Sequence, residues 1–195
     1  MGADDDRLDF EHRDNFRTEI RQQYGIRDGE FLIVTGGKLD KKKKIHLLMD
    51  AVKDLENVKL LVCGSATADF EEEYARHLNG NVIDAGWISS EQFYGYFFAA
   101  DLVFFPGQHS VLWEQACASK VPCVFGKWDG MDHVDNGGNA RFLDCNSPDV
   151  IRELILQLRF TADYEEMLSA ARSDKTDIYL YSRIAEKSLE CAVQK

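Results

Sequence analysis

The chain has 195 residues, 45% of them hydrophobic and 11% aromatic, which supplies an ample core for one domain and excludes a disordered chain. Its net charge of −11 excludes a general affinity for nucleic acid, because most of the surface would repel a polyanion, so any phosphate site must be local. No apolar run approaches the ~20 residues of a membrane span, and the opening MGADDDRLDFEHRDNFR is too acidic and polar for a secretory signal, so a cytoplasmic protein is expected.

Strand-like apolar runs alternate with helical patterns along the chain. Phe31 to Val34 reads as a strand, followed by GGKLDKKKK and a helix in which Ile45, Leu48, Met49 and Val52 share one face. Val58 to Cys63 is the next strand, ended by Gly64-Ser65, and a polar helix with Phe70, Tyr74 and Leu78 follows. Val82 to Ile88 reads as a short third strand, and Ser89-Ser90-Glu91 as a helix start with Phe93, Tyr96 and Phe97 facing inward. Leu102 to Phe105 is a buried strand stopped by Pro106-Gly107, and a helix beginning near Ser110 carries Glu114. Pro122 to Phe125, a Gly-rich loop from Gly130 to Gly138 and a strand at Ala140 to Leu143 come next. Helices over Pro148 to Leu158, Asp163 to Ala171 and Ser182 to Val193 complete the chain. This alternation predicts a Rossmann-like, three-layer α/β/α fold with a mostly parallel sheet, in one domain over residues 1–195.

Two loops carry the candidate chemistry. The first lies within AADLVFFPGQHSVLWEQACASKVPCVFG, residues 99–126, a unit of strand, loop, helix and strand in which the loop offers backbone N–H groups to an anion. Ligands of open α/β sheets bind beyond the carboxyl ends of such strands. The second is TGGKLDKKKK, residues 35–44, where glycines turn the backbone and Lys38 and one or more of Lys41 to Lys44 can reach a diphosphate. A lysine run of this kind is also the ordinary solvated entrance of a helix. Neither a Walker A loop nor a GxGxxG fingerprint is present, which removes the usual support for P-loop hydrolysis and hydride transfer.

In order and spacing these motifs resemble the C-terminal, donor-binding domain of GT-B glycosyltransferases, most closely the retaining family 4 enzymes. The resemblance covers nearly the whole chain. It rests on YGIRDGEFLIVTGGKLDKKKKIHLLMDAV, LLVCGSA, VIDAGWISSEQF, AADLVFFPG and WEQACASKVPCVF. It implies one half of a GT-B fold, with residues 1–25 as linker and first helix and the N-terminal acceptor domain absent from the chain. Lys38 and Lys43 match the family's phosphate-binding basic residues, Gly37 belongs to the same loop, and Lys44 stands where the family usually has Gly. Ser110, Val111 and Leu112 lie where the family presents N–H groups to the distal phosphate. Glu114 matches the second glutamate of the family's Glu-x7-Glu motif, which bonds the donor ribose, a role suited to a carboxylate facing a vicinal diol. Trp87 and Ile88 fall where the nucleobase is held, and Trp87 supplies stacking area. Pro106 stands in place of the motif's first glutamate and the loop is shortened, so Gln108 or His109 is left as a possible sugar contact.

The implied function is donor binding in a retaining, metal-independent glycosyltransferase that moves a sugar from a UDP- or GDP-sugar to a glycan or lipid-linked acceptor. Surface-polysaccharide assembly in the cytoplasm, including the inner face of the membrane, is the setting this implies. No cofactor is implied, no metal is required and no residue is assigned as catalytic. The alternatives are a non-catalytic nucleotide-sugar or partner-binding module and a GT-B-like epimerase, for which His109 and Asp132-His133 are the nearby acid/base candidates. Other groups read conservatively. Asp69 to Glu73 form a solvated face, and Asp132 in GMDHVDNGG is expected to cap a helix rather than join Asp129, His133 and Asp135 in a metal site. The five cysteines, Cys63, Cys117, Cys123, Cys145 and Cys191, read as reduced thiols rather than nucleophiles or a disulfide set.

Overall fold

A computed structural model describes residues 2–193, with side chains through Glu190. Six strands are present: β1 (Phe31–Leu39), β2 (Val58–Ala66), β3 (Val82–Gly86), β4 (Leu102–Phe105), β5 (Cys123–Gly126) and β6 (Ala140–Leu143). The helices are α1 (Arg13–Gln23), α2 (Ile45–Val52), α3 (Glu71–His77), α4 (Phe93–Ala99), α5 (Leu112–Ala118), α6 (Pro148–Leu158), α7 (Ala162–Ala171) and α8 (Tyr181–Val193). The strands form one sheet in the order β3-β2-β1-β4-β5-β6, every pairing parallel. This is the Rossmann-like α/β arrangement expected from the alternation of elements, and strand order reverses between β1 and β4.

Two apolar layers sandwich the sheet because side chains alternate along each strand. Leu32, Val34, Val103, Phe105 and Phe125 face the layer that holds Tyr96, Phe97, Trp113 and Ala116 of α4 and α5. Phe31, Ile33, Leu60, Val62 and Phe104 face the layer of Leu48, Met49, Ile151, Ile155 and Met167 from α2, α6 and α7. The first residues belong to the fold as well. Ala3 forms a parallel bridge with Leu180, and Phe16 of α1 packs near Phe98 of α4. Arg17 and Arg21 bond Asp101 at 2.6 and 3.3 Å, and the same carboxylate accepts the N–H of Leu32 at 2.7 Å. Asp101 thereby joins α1 to the amino end of β1.

Several expected elements differ: β1 continues through Leu39, so residues 35–39 of the expected loop are strand, and β3 stops at Gly86, short of Trp87 and Ile88. The helix carrying Glu114 begins at Leu112 rather than near Ser110. No helix follows Asp132, so it caps none; the segment is a run of turns in which Asp135 Oδ1 accepts from Gly138 at 2.8 Å and Ala140 at 3.4 Å. The polar stretch Asn136-Gly137-Gly138 satisfies its backbone through side-chain turns instead of a helical ladder. Ser89 heads the turn that leads into α4, its hydroxyl accepting from Gln92 N–H at 3.3 Å while Gln92 Oε1 accepts from Ser89 N–H at 2.9 Å, but the helix itself begins at Phe93 rather than at the expected Ser89-Ser90-Glu91. Lys44 adopts φ 53°, a left-handed conformation that suits glycine, at the position where glycine is usual in the resembling enzymes. Among the described residues no helix is long and apolar enough to cross a membrane. Cys63, Cys117, Cys123 and Cys145 are buried free thiols; the side chain of Cys191 lies outside the described set.

Close packing at the carboxyl edge depends on Gly64, which has φ +152° and where an added Cβ would overlap the carbonyl of Gly37. Gly80 has open space around it. Gly64→Ala is therefore expected to lower stability in urea unfolding by about 2 kcal/mol or more, with Gly80→Ala within about 0.5 kcal/mol of the parent.

Candidate functional site

A cavity of about 520 Å³ opens beyond the carboxyl ends of β1, β2 and β3, beside the reversal of strand order. Its walls are Gly37, Lys38, Gly64, Ser65, Trp87, Ile88, Ser90, Phe93 and Leu112. The strands approach closely there because β1 carries Gly37 and β2 carries Gly64-Ser65 near their carboxyl ends, and β3 ends in Gly86. Five residues singled out in the sequence, Gly37, Lys38, Trp87, Ile88 and Leu112, are brought together. Trp87 is 73% exposed, an indole held at the mouth rather than spent on the core, whereas Ile88 is buried beneath it. Lys38 is exposed and makes no ion pair with any described residue.

The other lysines of the run are distributed differently. Asp40 caps the short turn by accepting from Lys42 and Lys43 N–H at 2.9 and 3.2 Å. Lys41 pairs with Glu73 at 3.3 Å, and Lys44 donates to Cys145 C=O at 3.0 Å. Lys43 reaches across to the β4–α5 loop, donating to the carbonyls of Gln108 at 2.8 Å and His109 at 3.3 Å. Burial pulls its ammonium below the usual lysine range, opposed by the field of Asp40. Lys43 thus holds the loop closed at its present position and does not line the cavity. Ser110 and Val111 lie in the same loop just ahead of α5, also outside the lining, and Gln108 is exposed.

Glu114, the expected ribose contact, lies outside the lining of this cavity. It is 2% exposed and is aimed at the loop between β5 and β6. There Oε1 accepts from His109 Nε2 and His133 Nε2, each at 3.0 Å, while Oε2 is enclosed without a partner. The reason is helical phase: on α5, Leu112 and Gln115 turn toward the α4 side, and Glu114, about 100° from Gln115 and about 160° from Leu112, turns toward the opposite loop. Gln115 lines a neighbouring recess with Ser90 and Tyr94, and its Oε1 is buried without a partner. His109 lies edge-on to Trp113 with ring centroids 5.0 Å apart.

Sequence reasoning missed the meeting of His133 with Glu114, since nothing local marks a pairing across 19 positions. It also left out Gly64 and Ser65, although the end of a strand followed by Gly-Ser was a usable signal. The thiols behave as the sequence indicated: burial pushes Cys117 well up and Cys145 up to about 12, so neither is poised as a nucleophile. Asp69, Glu71 and Glu72 are exposed, as expected of a solvated face.

A model of the glycosyl transferases group 1 family matches residues 16–172. The chain belongs to that family. An uncharacterized glycosyltransferase of Methanocaldococcus jannaschii is 26% identical over 193 residues, covering 93% of this chain and 48% of the relative. The chain therefore spans about half the length of that curated relative. Anabaena HepE, solved in complex with UDP, superposes with a TM-score of 0.79 at 18% identity, covering 93% of this chain and 53% of HepE. The C-terminal domain of LpcC, a group 1 family glycosyltransferase from Francisella tularensis, superposes with a TM-score of 0.68 at 17% identity, covering 85% of this chain and 93% of that domain. These likenesses show the Rossmann-like α/β fold shared with GT-B glycosyltransferases.

Truncating Glu114 separates a packing role from a ligand role. Glu114→Ala leaves the half-buried His109 ring without its acceptor and is expected to cost about 2 kcal/mol in urea unfolding, while nucleotide affinity stays within about twofold of the parent.

Proposed function

We propose that this chain is the donor-binding half of a glycosyltransferase and takes a nucleoside diphosphate-sugar, with UDP or GDP as the nucleotide, into the cavity beyond β1, β2 and β3. The observation that carries the reading is the meeting of an unpaired Lys38, the glycine-lined strand ends and an exposed Trp87 in one 520 Å³ recess. A base stacks on Trp87 above Ile88, and the diphosphate runs toward Lys38 and the β4–α5 loop. Membership of the family and the fold shared with UDP-bound HepE support this orientation.

Lys38 neutralises the diphosphate as it leaves, and backbone N–H groups from Ser110 to Leu112 add hydrogen bonds in the same direction. Ammonium and N–H groups suffice for that stabilisation, so transfer needs no metal at the leaving group. Retention of anomeric configuration is part of the proposal through the family resemblance. Lys43 acts by holding the β4–α5 loop, and Gln108 and His109 on that loop are the groups nearest a donor sugar. Ribose recognition by Glu114 would require both imidazoles to release Oε1. Gln115 lies outside the cavity too, in a neighbouring recess, so Leu112 is the one residue of α5 that lines it. The acceptor, a glycan or lipid-linked saccharide, is met by the part of the protein that corresponds to the other half of its relatives.

Thermal-shift and calorimetric titration against UDP, GDP, ADP and their sugar conjugates, with and without magnesium, tests the reading. A saturable, magnesium-independent rise in melting temperature is expected with one diphosphate. Lys38→Ala and Trp87→Ala each weaken it about tenfold, the loss of one charged or stacked contact. Glu114→Gln leaves it unchanged. Absence of a shift with every nucleotide would overturn the proposal for this chain.

A further inference from the structure

His109, Glu114 and His133 do not line the cavity, and of the three His109 alone is placed near the donor, beside its sugar. Two imidazole nitrogens and a carboxylate oxygen converge there, all within 4.8 Å of one another. The residues come from three elements: His109 from the β4–α5 loop, Glu114 from α5 and His133 from the β5–β6 loop. We propose that these three side chains bind a divalent transition-metal ion, zinc above all, which ties the two loops together at the edge of the nucleotide cavity.

Burial makes the first argument. The Glu114 side chain is 3% exposed, and among the described residues no lysine or arginine pairs with it; its partners are the two imidazoles. A carboxylate taken out of water with no lysine or arginine beside it is costly. The second argument is the enclosed Oε2, which has no hydrogen-bond partner although it belongs to a buried acid. Both imidazoles crowd onto Oε1, leaving half of the carboxylate's acceptor capacity unused. A cation seated among the three groups supplies the missing charge and can take either oxygen.

Geometry and ligand chemistry agree on the class of ion. Zinc bound at 2.0–2.1 Å in tetrahedral geometry separates its ligand atoms by about 3.3 Å. The two nitrogen-to-oxygen separations are 3.0 Å, so small side-chain movements open the set to that size. Two imidazoles with one carboxylate select zinc or a neighbouring transition metal over calcium or magnesium, which prefer oxygen cages. Three protein ligands leave a fourth position for water, and His133, with 45% of its side chain exposed, lies on the path by which an ion enters.

Both loops are already braced for such a site. Tyr179 OH donates to His133 C=O at 2.6 Å, and Asn139 Nδ2 donates to Val134 C=O at 2.9 Å. On the other side, Lys43 bonds the His109 carbonyl and Trp113 supports the His109 ring. Outer contacts of this kind fix ligand direction before the ion arrives. The inference does not rest on the donor reading, since metal binding and nucleotide binding are measured separately.

Tag-free protein stripped with chelator is titrated with zinc chloride by calorimetry and with cobalt(II) by visible absorption. The expected result is one equivalent of bound zinc, a tetrahedral cobalt spectrum, and a melting temperature raised by zinc. His133→Ala, at an exposed side chain that the fold does not need, should weaken zinc at least about tenfold and abolish the cobalt band. His109→Gln should act in the same way, with circular dichroism confirming that each variant is folded. Failure to bind one equivalent, or equal zinc affinity in the parent and both variants, overturns the proposal.

Discussion

Backbone-on-backbone contact at the carboxyl edge of the sheet is the constraint on which the remaining structure depends. At Gly64 a Cβ would overlap the carbonyl of Gly37, and at Gly107 it would overlap Lys42 and Lys43. These two contacts draw β1, β2 and the β4–α5 loop together where strand order reverses, and the recess forms where side chains are missing. The bulk required to seal the core lies one layer away, in Phe97, Phe105, Trp113 and Phe125. A rigid floor of peptide groups under an open mouth follows from that division of labour, and such a floor suits a flat, charged ligand better than an apolar one.

Charge is sorted just as sharply. In a chain of net charge −11, a single run of lysines flanks the cavity, yet its members do different things. Lys41 is neutralised by Glu73, Lys44 serves a carbonyl, and Lys43 is spent on two loop carbonyls. Lys38 remains to attract an anion, which concentrates the positive field where β1 ends. On the far side of α5, Glu114 carries the opposite sign inward, matched only by imidazoles. The short helix thus separates a cation-lined face from an anion-centred one, and its phase decides which ligand each side can take.

The fold was legible in the sequence because its strands are buried on both faces and read as uninterrupted apolar runs. Leu102 to Phe105, Ala140 to Leu143 and Pro148 to Leu158 fall at the expected residues, since Pro, Gly or a Ser cap punctuates them. The loop from Gly130 to Gly138 was legible from its glycines, but its turns in place of a helix after Asp132 were not, because their order comes from side-chain bonds of Asp135 and Asn139 rather than from a repeating pattern. Gly37, Lys38, Trp87, Ile88 and Leu112, each singled out in the sequence, line one cavity at the strand ends of the α/β sheet. The direction of Glu114 was beyond reach of a motif alone. A one-residue difference on a helix rotates a side chain by 100°, enough to move it from the cavity to the opposite loop.

Tryptophan fluorescence provides the most direct test that the carboxyl edge is a nucleotide site, because Trp87 is at the mouth while Trp113 is fully buried and Trp128 donates to Gly107 C=O. Titrating the parent and Trp87→Phe with UDP and GDP would read the stacked indole by itself. The account predicts saturable quenching by one of the two in the parent and its loss in the variant. Quenching by neither, or equal quenching in both proteins, would contradict it.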